Sequence, residues 1–279
     1  ERYDPHFKPA WNPDLLLGQN YISHLGVYRA SRVRAIGGFR QGFEGSQDHD
    51  LTLRFCTGLA VDRIVRIPRV LYHWHAGQGS TAAAAVEKRY TAGAGLRAVQ
   101  DHLDRHTAGA RAEPGKYPNT YRIRWPLPDP APLVSLLIPT RDQVSILRPC
   151  VEALLERTRY SHLEVLILDN GSTCRETLAF LDEIAGDARV RVLSWPYPFN
   201  YSAINNFGAR HARGDILGLI NNDIEPINEE WLEEMVSQAC REEIGCVGAK
   251  LYYPDGTVQH GGVLLGVGGV AGHAHKYFS

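Results

Sequence analysis

Short apolar runs alternate with amphipathic stretches throughout the second half of the chain. The runs cover residues 134–142, 163–172, 190–195 and 216–223, and the stretches between them have apolar side chains at helical spacing. Short, nearly continuous apolar runs are typical of strands buried on both faces of a parallel sheet, and we interpret 216–223 as a central strand. Strands that alternate with helices form βαβ units. The sequence therefore predicts an α/β fold with a mainly parallel sheet flanked by helices.

Three of these runs end in a polar cluster that contains an aspartate, namely Asp142, Asp169 and Asp223. A single aspartate at a strand end is usually a turn former. Three at the carboxyl edge of one sheet indicate a ligand site, because ligands of open α/β sheets bind there. Asp169 is placed to bind ribose hydroxyls or a base edge. Asp223, which follows two asparagines, suits a hard divalent cation that shares phosphate oxygens. Together they predict a nucleotide-diphosphate site.

Other nucleotide-binding classes fit poorly. The chain has no GxxxxGK[ST] motif, and its glycine-rich tail lacks the GxGxxG order of a dinucleotide site. A nucleotidyltransferase would carry a glycine-rich basic loop after the first strand, and PTRDQVS is not one. The tail histidines, His260, His273 and His275, either contact a metal or phosphate or belong to a flexible loop. We also predict a helix capped by Asn228 and a strand over 246–253.

The first part of the chain has two features of interest. Gly37 and Gly38 predict a helix stop and turn. Farther on, Ser46 is a candidate N-cap for a helix whose first turn holds Asp48, His49 and Asp50. One interpretation is a well-capped helix with acidic residues favoured by its dipole. The other is that one carboxylate, partly desolvated, acts as a general base.

Residues 63–75 alternate like a strand and end in His73, Trp74 and His75. Such a histidine pair either ligates a metal or is structural or solvent-facing. Helix-forming composition follows from residue 82, and the proline-rich stretch to residue 132 predicts an extended linker. We therefore divide the chain into a first domain piece (1–82), a connector helix and linker (83–132), and a second domain piece (133–279).

Composition limits the function classes. The 279 residues carry a net charge of −1, so no basic surface for nucleic acid is predicted. Five scattered cysteines without a CxxC spacing suit reduced thiols in the cytoplasm. No signal peptide and no membrane-spanning run is visible. The chain opens on Glu1 rather than methionine, so we expect a piece of a longer protein.

Three motifs, VSLLIPTRDQ, LILDNGS and NNFGARHARGDILGLINND, resemble the donor-binding half of family 2 glycosyltransferases of the GT-A fold. The resemblance implies a nucleotide-sugar site and a divalent cation, Mg²⁺ or Mn²⁺. It assigns the metal to Asp223. Nucleotide-sugar binding is assigned to Pro139, Thr140, Arg141, Asp142, Asp169, Asn170, Asn206 and Asn222. Many members have Asp-x-Asp where this chain has Asn-Asn-Asp, so one charge remains and metal affinity would depend more on the diphosphate.

The first domain piece is similar to the acceptor-side half of the same family. Its GGFRQGFEGSQDHDLTLR segment implies that Asp48 is the catalytic base, and LYHWH implies a metal-ligating histidine, with His73 ahead of His75. The acceptor half thus precedes the donor half. We interpret this order as the end of one glycosyltransferase domain and the beginning of a second, so that Asp48 and Asp223 serve different sites. The alternative is one composite domain.

The implied function is an inverting, metal-dependent transfer of a sugar from a UDP, GDP or dTDP sugar to a hydroxyl of a glycan or lipid-linked glycan. Bacterial O-antigen and surface-polysaccharide synthesis uses tandem proteins of this kind. A cytoplasmic location follows, with docking at the inner face of the membrane left open, and the sequence specifies no oligomeric state. The alternative is a non-catalytic module that binds a nucleotide-sugar or glycan.

Overall fold

The computed structural model describes residues 7–73, 88–266 and 269–278. The chain divides into two compact units, Glu1–Pro126 (unit 1) and Leu127–Ser279 (unit 2). Each unit has a hydrophobic core of its own. The helix and hairpin that precede Pro126 pack within unit 1, so the boundary between the units falls inside the stretch predicted as a linker.

Unit 1 is mainly helical. Its elements are α1 (Pro13–Gly18), α2 (Ala30–Ala35), α3 (Gln47–Cys56), a 3₁₀ turn (Val61–Arg63), α4 (Lys88–His106) and an antiparallel hairpin of β1 (Arg111–Pro114) and β2 (Tyr121–Arg124). The core lies between α1, α4 and β2 and includes Leu16, Val99 and Tyr121. A Cβ on Gly95 would lie 1.8 Å from the Tyr121 hydroxyl, so glycine is required where α4 approaches β2.

The β1–β2 hairpin corrects the prediction of an extended linker. Its strands pair in register from Arg111–Arg124 to Pro114–Tyr121. Tyr121 is buried against α4 and α1, and Ala110 is buried just before β1. The two prolines within the hairpin, Pro114 and Pro118, lie at the end of β1 and in the turn, where a missing N–H is tolerated. Composition alone indicated a linker because the few buried side chains are separated by polar residues.

Two further expectations for unit 1 have different outcomes. Gly37 and Gly38, with φ of 81° and 66°, follow α2 and confirm the predicted stop. Ser46 does precede α3, but its hydroxyl donates to the Thr91 carbonyl oxygen at 2.8 Å rather than accepting from the helix. The side-chain cap predicted for Ser46 is therefore wrong, because α4 provides a competing acceptor.

The strand predicted over 63–75 is also wrong for its described part. Residues 64–73 have no strand assignment, and almost all of their side chains are exposed. Alternating apolar residues form a strand only beside a partner strand, and this segment has none among the described residues. Trp74, His75 and the predicted start of the connector helix lie outside the described residues.

Unit 2 contains a four-stranded parallel sheet, which confirms the α/β prediction. The strands are β3 (Val134–Thr140), β4 (Leu163–Asp169), β5 (Val190–Ser194) and β6 (Ile216–Leu219), in the order β5-β4-β3-β6. Three helices connect them, α5 (Val144–Glu156), α6 (Arg175–Ile184) and α7 (Tyr201–His211), and α8 (Trp231–Ala239) follows β6.

The two faces of the sheet bury different helices. On one face, Leu136 and Ile138 pack with side chains of α5, α6 and α8. On the other, Leu137 and Leu168 pack against Ile204 of α7. The predicted helix after β6 begins at Trp231, preceded by Glu230 without a side-chain cap bond, so Asn228 does not cap it.

The end position of β6 contradicts the prediction of a central strand. Among the described residues β6 hydrogen-bonds to β3 alone, and its side chains alternate between half-buried and exposed. Leu217 and Leu219 are 44% and 57% exposed. An apolar run reports a preference for burial on both faces, whereas burial itself depends on which elements lie beside the strand.

The last part of unit 2 consists of two small hairpins. They are formed by β7 (Leu251–Tyr252) with β8 (Val258–His260) and by β9 (Val263–Leu265) with β10 (Ala271–His273). The strand predicted over 246–253 is therefore only two residues long. The Nδ1 atoms of His260 and His273 lie 2.8 Å apart. Within the described ranges no helix combines the length and apolar character needed to span a bilayer.

Candidate functional site

The carboxyl edge of the sheet brings several of the predicted residues together. Thr140 and Asp169 are directly paired at the ends of β3 and β4. The backbone N–H of Asn170 donates to the Thr140 carbonyl at 2.8 Å. From the other side, the Asn222 carboxamide donates to the Thr140 hydroxyl at 3.2 Å. Thr140 is therefore the centre of an edge lined by the ends of β4, β3 and β6.

Asp169 and Asp142 are linked through Ser172. The Ser172 backbone N–H and hydroxyl both donate to Asp169 Oδ1, at 3.0 and 2.5 Å. The Ser172 hydroxyl oxygen in turn accepts from the Asp142 backbone N–H at 2.7 Å. These bonds occupy one carboxylate oxygen of Asp169, and they hold the loops after β3 and β4 side by side.

The side chain of Asp142 binds the backbone just before α6. Its Oδ1 accepts from the backbone N–H groups of Cys174 and Thr173, both at 2.8 Å. These backbone hydrogen bonds hold the pKa of Asp142 below its usual value. Asp142 and Gln143 both have positive φ, which turns the chain sharply into α5. Arg141 is exposed beside this turn, and Pro139 is half-buried within β3.

Asn170 is buried and joins β4 to the loop after β5. Its carboxamide nitrogen donates to the carbonyls of Trp195 and Tyr197, at 3.0 and 2.7 Å. Its carboxamide oxygen is buried and has no hydrogen-bond partner among the described residues. On α7 the predicted Asn206 is exposed, whereas its neighbour Asn205 is buried and donates to the Tyr201 carbonyl at 2.8 Å.

Asp223 is exposed in the turn after β6. It lines a shallow depression with Ser145, Pro149 and Glu225. In the described ranges, no group of three or more His, Cys, Asp or Glu side chains is arranged so that it could hold a metal ion by itself. The oxygen donors at this turn are the Asp223 carboxylate and the preceding carboxamides. One carboxylate with neutral oxygens fits a hard cation that takes its remaining ligands from phosphates and water.

In unit 1 the predicted base, Asp48, is half-buried in the first turn of α3. Its Oδ2 accepts from the Asn20 carboxamide at 2.8 Å, and its Oδ1 accepts from the backbone N–H of His49 at 3.0 Å. The Thr52 hydroxyl donates to the Asp48 carbonyl at 2.7 Å. The carboxylate is thus held in position by Asn20 while part of it faces solvent.

Asp50, two residues later, has a different environment. It is 1% exposed and paired with the guanidinium groups of Arg40 and Arg54. Burial raises the pKa of Asp50, but the hydrogen bonds from both arginines outweigh it and hold the pKa below its usual value. Between the two aspartates, His49 is buried with Nε2 2.7 Å from the Leu16 carbonyl oxygen. Asp48 is therefore the carboxylate of this motif that remains accessible.

His73, the predicted metal ligand of unit 1, is exposed at the end of its described segment. The neighbouring Tyr72 ring lies 6.2 Å from that of His24. In the described part of the chain, no cluster of three metal-ligating side chains includes His73.

Sequence reasoning missed a buried carboxylate at the opposite end of the sheet. Glu164 of β4 accepts from the Ser135 hydroxyl and the Arg213 backbone N–H, both at 2.7 Å. The Ser135 hydroxyl oxygen accepts from the Gly214 N–H at 2.9 Å, which fixes the entry to β6. A glutamate and a serine at paired positions inside apolar runs were the available signal, because buried polar groups require partners.

The fold defines an α/β protein in which polar side chains meet at the carboxyl edge of a parallel sheet. Residues 135–265 match the family described as Glycosyl transferase family 2. The matched stretch is just under half of the chain and contains nearly all of the parallel sheet of unit 2. The prediction made from the strand-end motifs is thereby confirmed at the level of the family.

Two relatives align with nearly the whole chain. The uncharacterized protein y4gI of Sinorhizobium fredii is 51% identical, over 99% of this chain and 31% of its own length. The O-antigen biosynthesis protein RfbC of Myxococcus xanthus is 43% identical, over 98% of this chain and 21% of its own length. The chain therefore spans about a third or less of these relatives.

Solved structures share part of the chain. A mannosyltransferase from Pyrobaculum calidifontis, in complex with GDP-Man and Mn²⁺, has 21% identity and a TM-score of 0.38, over 44% of this chain and 37% of its own. TarS 1–349 of S. aureus has 18% identity and a TM-score of 0.35, over 38% and 32%. Both similarities cover less than half of the chain.

Proposed function

We propose that unit 2 binds the nucleotide-diphosphate sugar of an inverting, metal-dependent glycosyltransferase of the hexosyltransferase type. The observation that carries this proposal is the meeting of Thr140, Asp169 and Asn222 at the carboxyl edge of the sheet, within the stretch that matches the family. The description of the family that residues 135–265 match, a glycosyl transferase, supports a sugar donor.

The residues of this edge have three roles: they position the nucleotide, support the loops or hold the cation. Asp169 and Asn222 position the nucleotide, with Pro139, Thr140 and Arg141 beside them. Asp142 and Asn170 support the loops, since Asp142 Oδ1 and the Asn170 carboxamide nitrogen already bind backbone. Asp223, with the diphosphate oxygens, would hold Mg²⁺ or Mn²⁺. When bound, the cation supplies positive charge to the leaving diphosphate.

The transfer itself is a single displacement. The acceptor hydroxyl oxygen bonds to the anomeric carbon, the bond from that carbon to the diphosphate breaks, and the hydroxyl proton passes to a carboxylate. One displacement inverts the configuration. In unit 1, Asp48 has the exposure and the fixed orientation that a base requires. We assign it to the acceptor side of a first domain and unit 2 to the donor side of a second, so that each site takes its missing half from elsewhere in a longer protein.

The acceptor we propose is a glycan or lipid-linked glycan of bacterial surface-polysaccharide synthesis, in the cytoplasm at the inner face of the membrane. The name of the Myxococcus xanthus relative supports this class of pathway. The site requires no nucleic acid, and the chain's charge of −1 offers it no attraction.

Calorimetric titration with UDP, GDP and dTDP, with and without Mn²⁺ or Mg²⁺, tests the donor site. We expect metal-dependent binding of at least one nucleotide, lost in Asp223→Ala. Asp182→Ala is the matched control, because Asp182 is an exposed aspartate on α6. A folded chain that binds none of the nucleotides would contradict the proposal.

A binding module without catalysis is the second candidate, favoured by the single carboxylate in Asn221-Asn222-Asp223. Both candidates predict nucleotide binding, so turnover separates them. Metal-dependent release of nucleoside diphosphate from the donor sugar by the longer protein would reject the binding module. Tight binding of the donor sugar by the longer protein, without release of nucleoside diphosphate, would reject the enzyme.

A further inference from the structure

Three aromatic side chains are exposed where β5 joins α7. Tyr197 is 61% exposed, Phe199 65% and Tyr201 48%. They fall within five residues of one another, in the sequence WPYPFNY. Exposed apolar clusters of this kind commonly mark binding surfaces, whereas isolated exposed rings need no explanation.

The segment that carries these rings is fixed in place. Its backbone carbonyls at Trp195 and Tyr197 both accept from the Asn170 carboxamide. The Trp195 ring packs edge-on against Tyr197, with centroids 4.8 Å apart. Pro196 and Pro198 further restrict the backbone. Because folding already orders this segment, a ligand that stacked here would lose little binding free energy to ordering the protein.

The segment is also continuous with the candidate donor site. The Trp195 backbone N–H donates to the Asp169 carbonyl at 2.8 Å, so the aromatic segment begins directly beside the end of β4. Two polar atoms at this junction, the Asn170 carboxamide oxygen and the Trp195 indole N–H, are buried without a partner among the described residues. Buried polar atoms are normally satisfied by protein, water or a ligand.

The chemistry of the rings selects among the parts of a nucleotide. An aromatic face stacks on a nucleobase, which has a π-face of its own. A diphosphate gains nothing from an apolar ring. We propose that Tyr197, Phe199 and Tyr201 form a stacking surface for the nucleobase of the donor, next to Asp169. This inference rests on the proposed function, because it places the base of that same nucleotide.

The test compares ligands with and without a base. Affinities of UDP, GDP, dTDP and inorganic pyrophosphate are measured by calorimetry in the presence of Mn²⁺. Tyr197→Ala and Phe199→Ala should each weaken the nucleotide that the wild-type chain binds best by roughly tenfold, the order expected for loss of one stacked base. Pyrophosphate affinity should not change. Tyr197→Phe, which keeps the ring, should bind as the wild type does.

Tyr117→Ala is the matched control, because Tyr117 is a 64% exposed tyrosine in the turn of the β1–β2 hairpin. It should leave every affinity unchanged. Equal losses of nucleotide and pyrophosphate affinity, or no loss in either alanine variant, would overturn the stacking surface and leave the donor site standing. A wild-type chain that binds neither nucleotides nor pyrophosphate would remove the donor site, and this inference with it.

Discussion

The buried part of α3 in unit 1 carries charged and polar side chains, whereas the buried side chains of β3 in unit 2 are mostly aliphatic. In α3, His49, Asp50 and Thr52 are 1–2% exposed, beside Leu51 and Leu53 at 3%. In β3, most side chains are aliphatic and fully buried. Glu164 is the buried charge among the described residues of unit 2, and it accepts from the Ser135 hydroxyl, the Arg213 backbone N–H and the Arg191 guanidinium.

The difference shows what each candidate site depends on. Asp48 lies two residues before a buried carboxylate whose charge must be balanced by two arginines. Thr140 and Asp169 depend instead on the register of parallel strands, which packing and backbone bonds determine. Unit 1 should therefore respond to charge and pH, and unit 2 to small changes in backbone spacing.

The largest effect is expected from Asp50→Ala. Removing this carboxylate leaves Arg54 without its carboxylate partner and leaves Arg40 with Asp101 alone, which should cost about 3–5 kcal/mol of the free energy of unfolding of unit 1. Urea denaturation, with hydrogen exchange followed in peptides of unit 1 and of unit 2, gives the free energy of unfolding of each unit separately. Unit 2 should be unchanged.

Asp48→Asn serves as the control for that prediction. Asp48 is half-buried with a single side-chain partner, so this variant should stay within about 1 kcal/mol of the wild type. If Asp50→Ala were no more destabilising than Asp48→Asn, the buried network would not be what distinguishes unit 1.

An intermediate effect is expected from Gly214→Ala at the entry to β6. The new Cβ would lie 2.6 Å from the Leu133 carbonyl oxygen and 2.7 Å from the Ser135 backbone nitrogen. Moving these backbone atoms would disturb the strand pairing, so we expect the free energy of unfolding of unit 2 alone to fall by about 1–3 kcal/mol. Thermal unfolding monitored by the exchange of β3 and β6 amides checks both size and location.

Gly245→Ala is the matched variant, because a Cβ there meets no atom within 4 Å. It should leave stability unchanged or raise it slightly, since alanine restricts the unfolded chain. Equal losses in the two glycine variants would argue against a spacing constraint at Gly214.

The smallest expected effect is a pH dependence of stability that differs between unit 1 and unit 2. Burial lowers the pKa of His49 below its usual 6.5, and burial next to His106 lowers the pKa of His102 to about 4. Below pH 6.5 the unfolded state then binds more protons than the folded state. The contribution of both histidines is therefore complete above that pH and is lost as the pH falls toward the folded pKa values.

Unit 2 should behave differently in the same window. Its buried carboxylate is Glu164, whose pKa is lowered because its hydrogen bonds outweigh burial, so its contribution is lost only in the carboxylate range. The pKa values of the buried Cys150 and Tyr160 are raised, which moves their titration farther from this window. Urea denaturation at pH 7.5, 6.5 and 5.5 should show unit 1 alone losing stability, and His102→Gln should flatten that slope. Parallel losses in both units would contradict this account.

The sequence by itself determined the strands β3, β4 and β5, the helices between them and the turn at Gly37 and Gly38. Each follows from a local rule: a continuous apolar run, helical spacing, or glycine at positive φ. The meeting of Thr140 and Asp169 was predictable for the same reason, since parallel strands end at one edge.

Only the tertiary structure decided which polar side chains already have hydrogen-bond or ion-pair partners within the protein. Asp48 and Asp50 are equivalent in a helical first turn, and they differ because Asp50 pairs with Arg40, which also binds Asp101 of α4. Asp142 binds α6, and Asn170 binds the segment after β5. β6 lies at the end of the sheet, although its sequence is that of a central strand. Each of these outcomes depends on partners far apart along the chain, and a pattern of neighbouring residues carries no information about them.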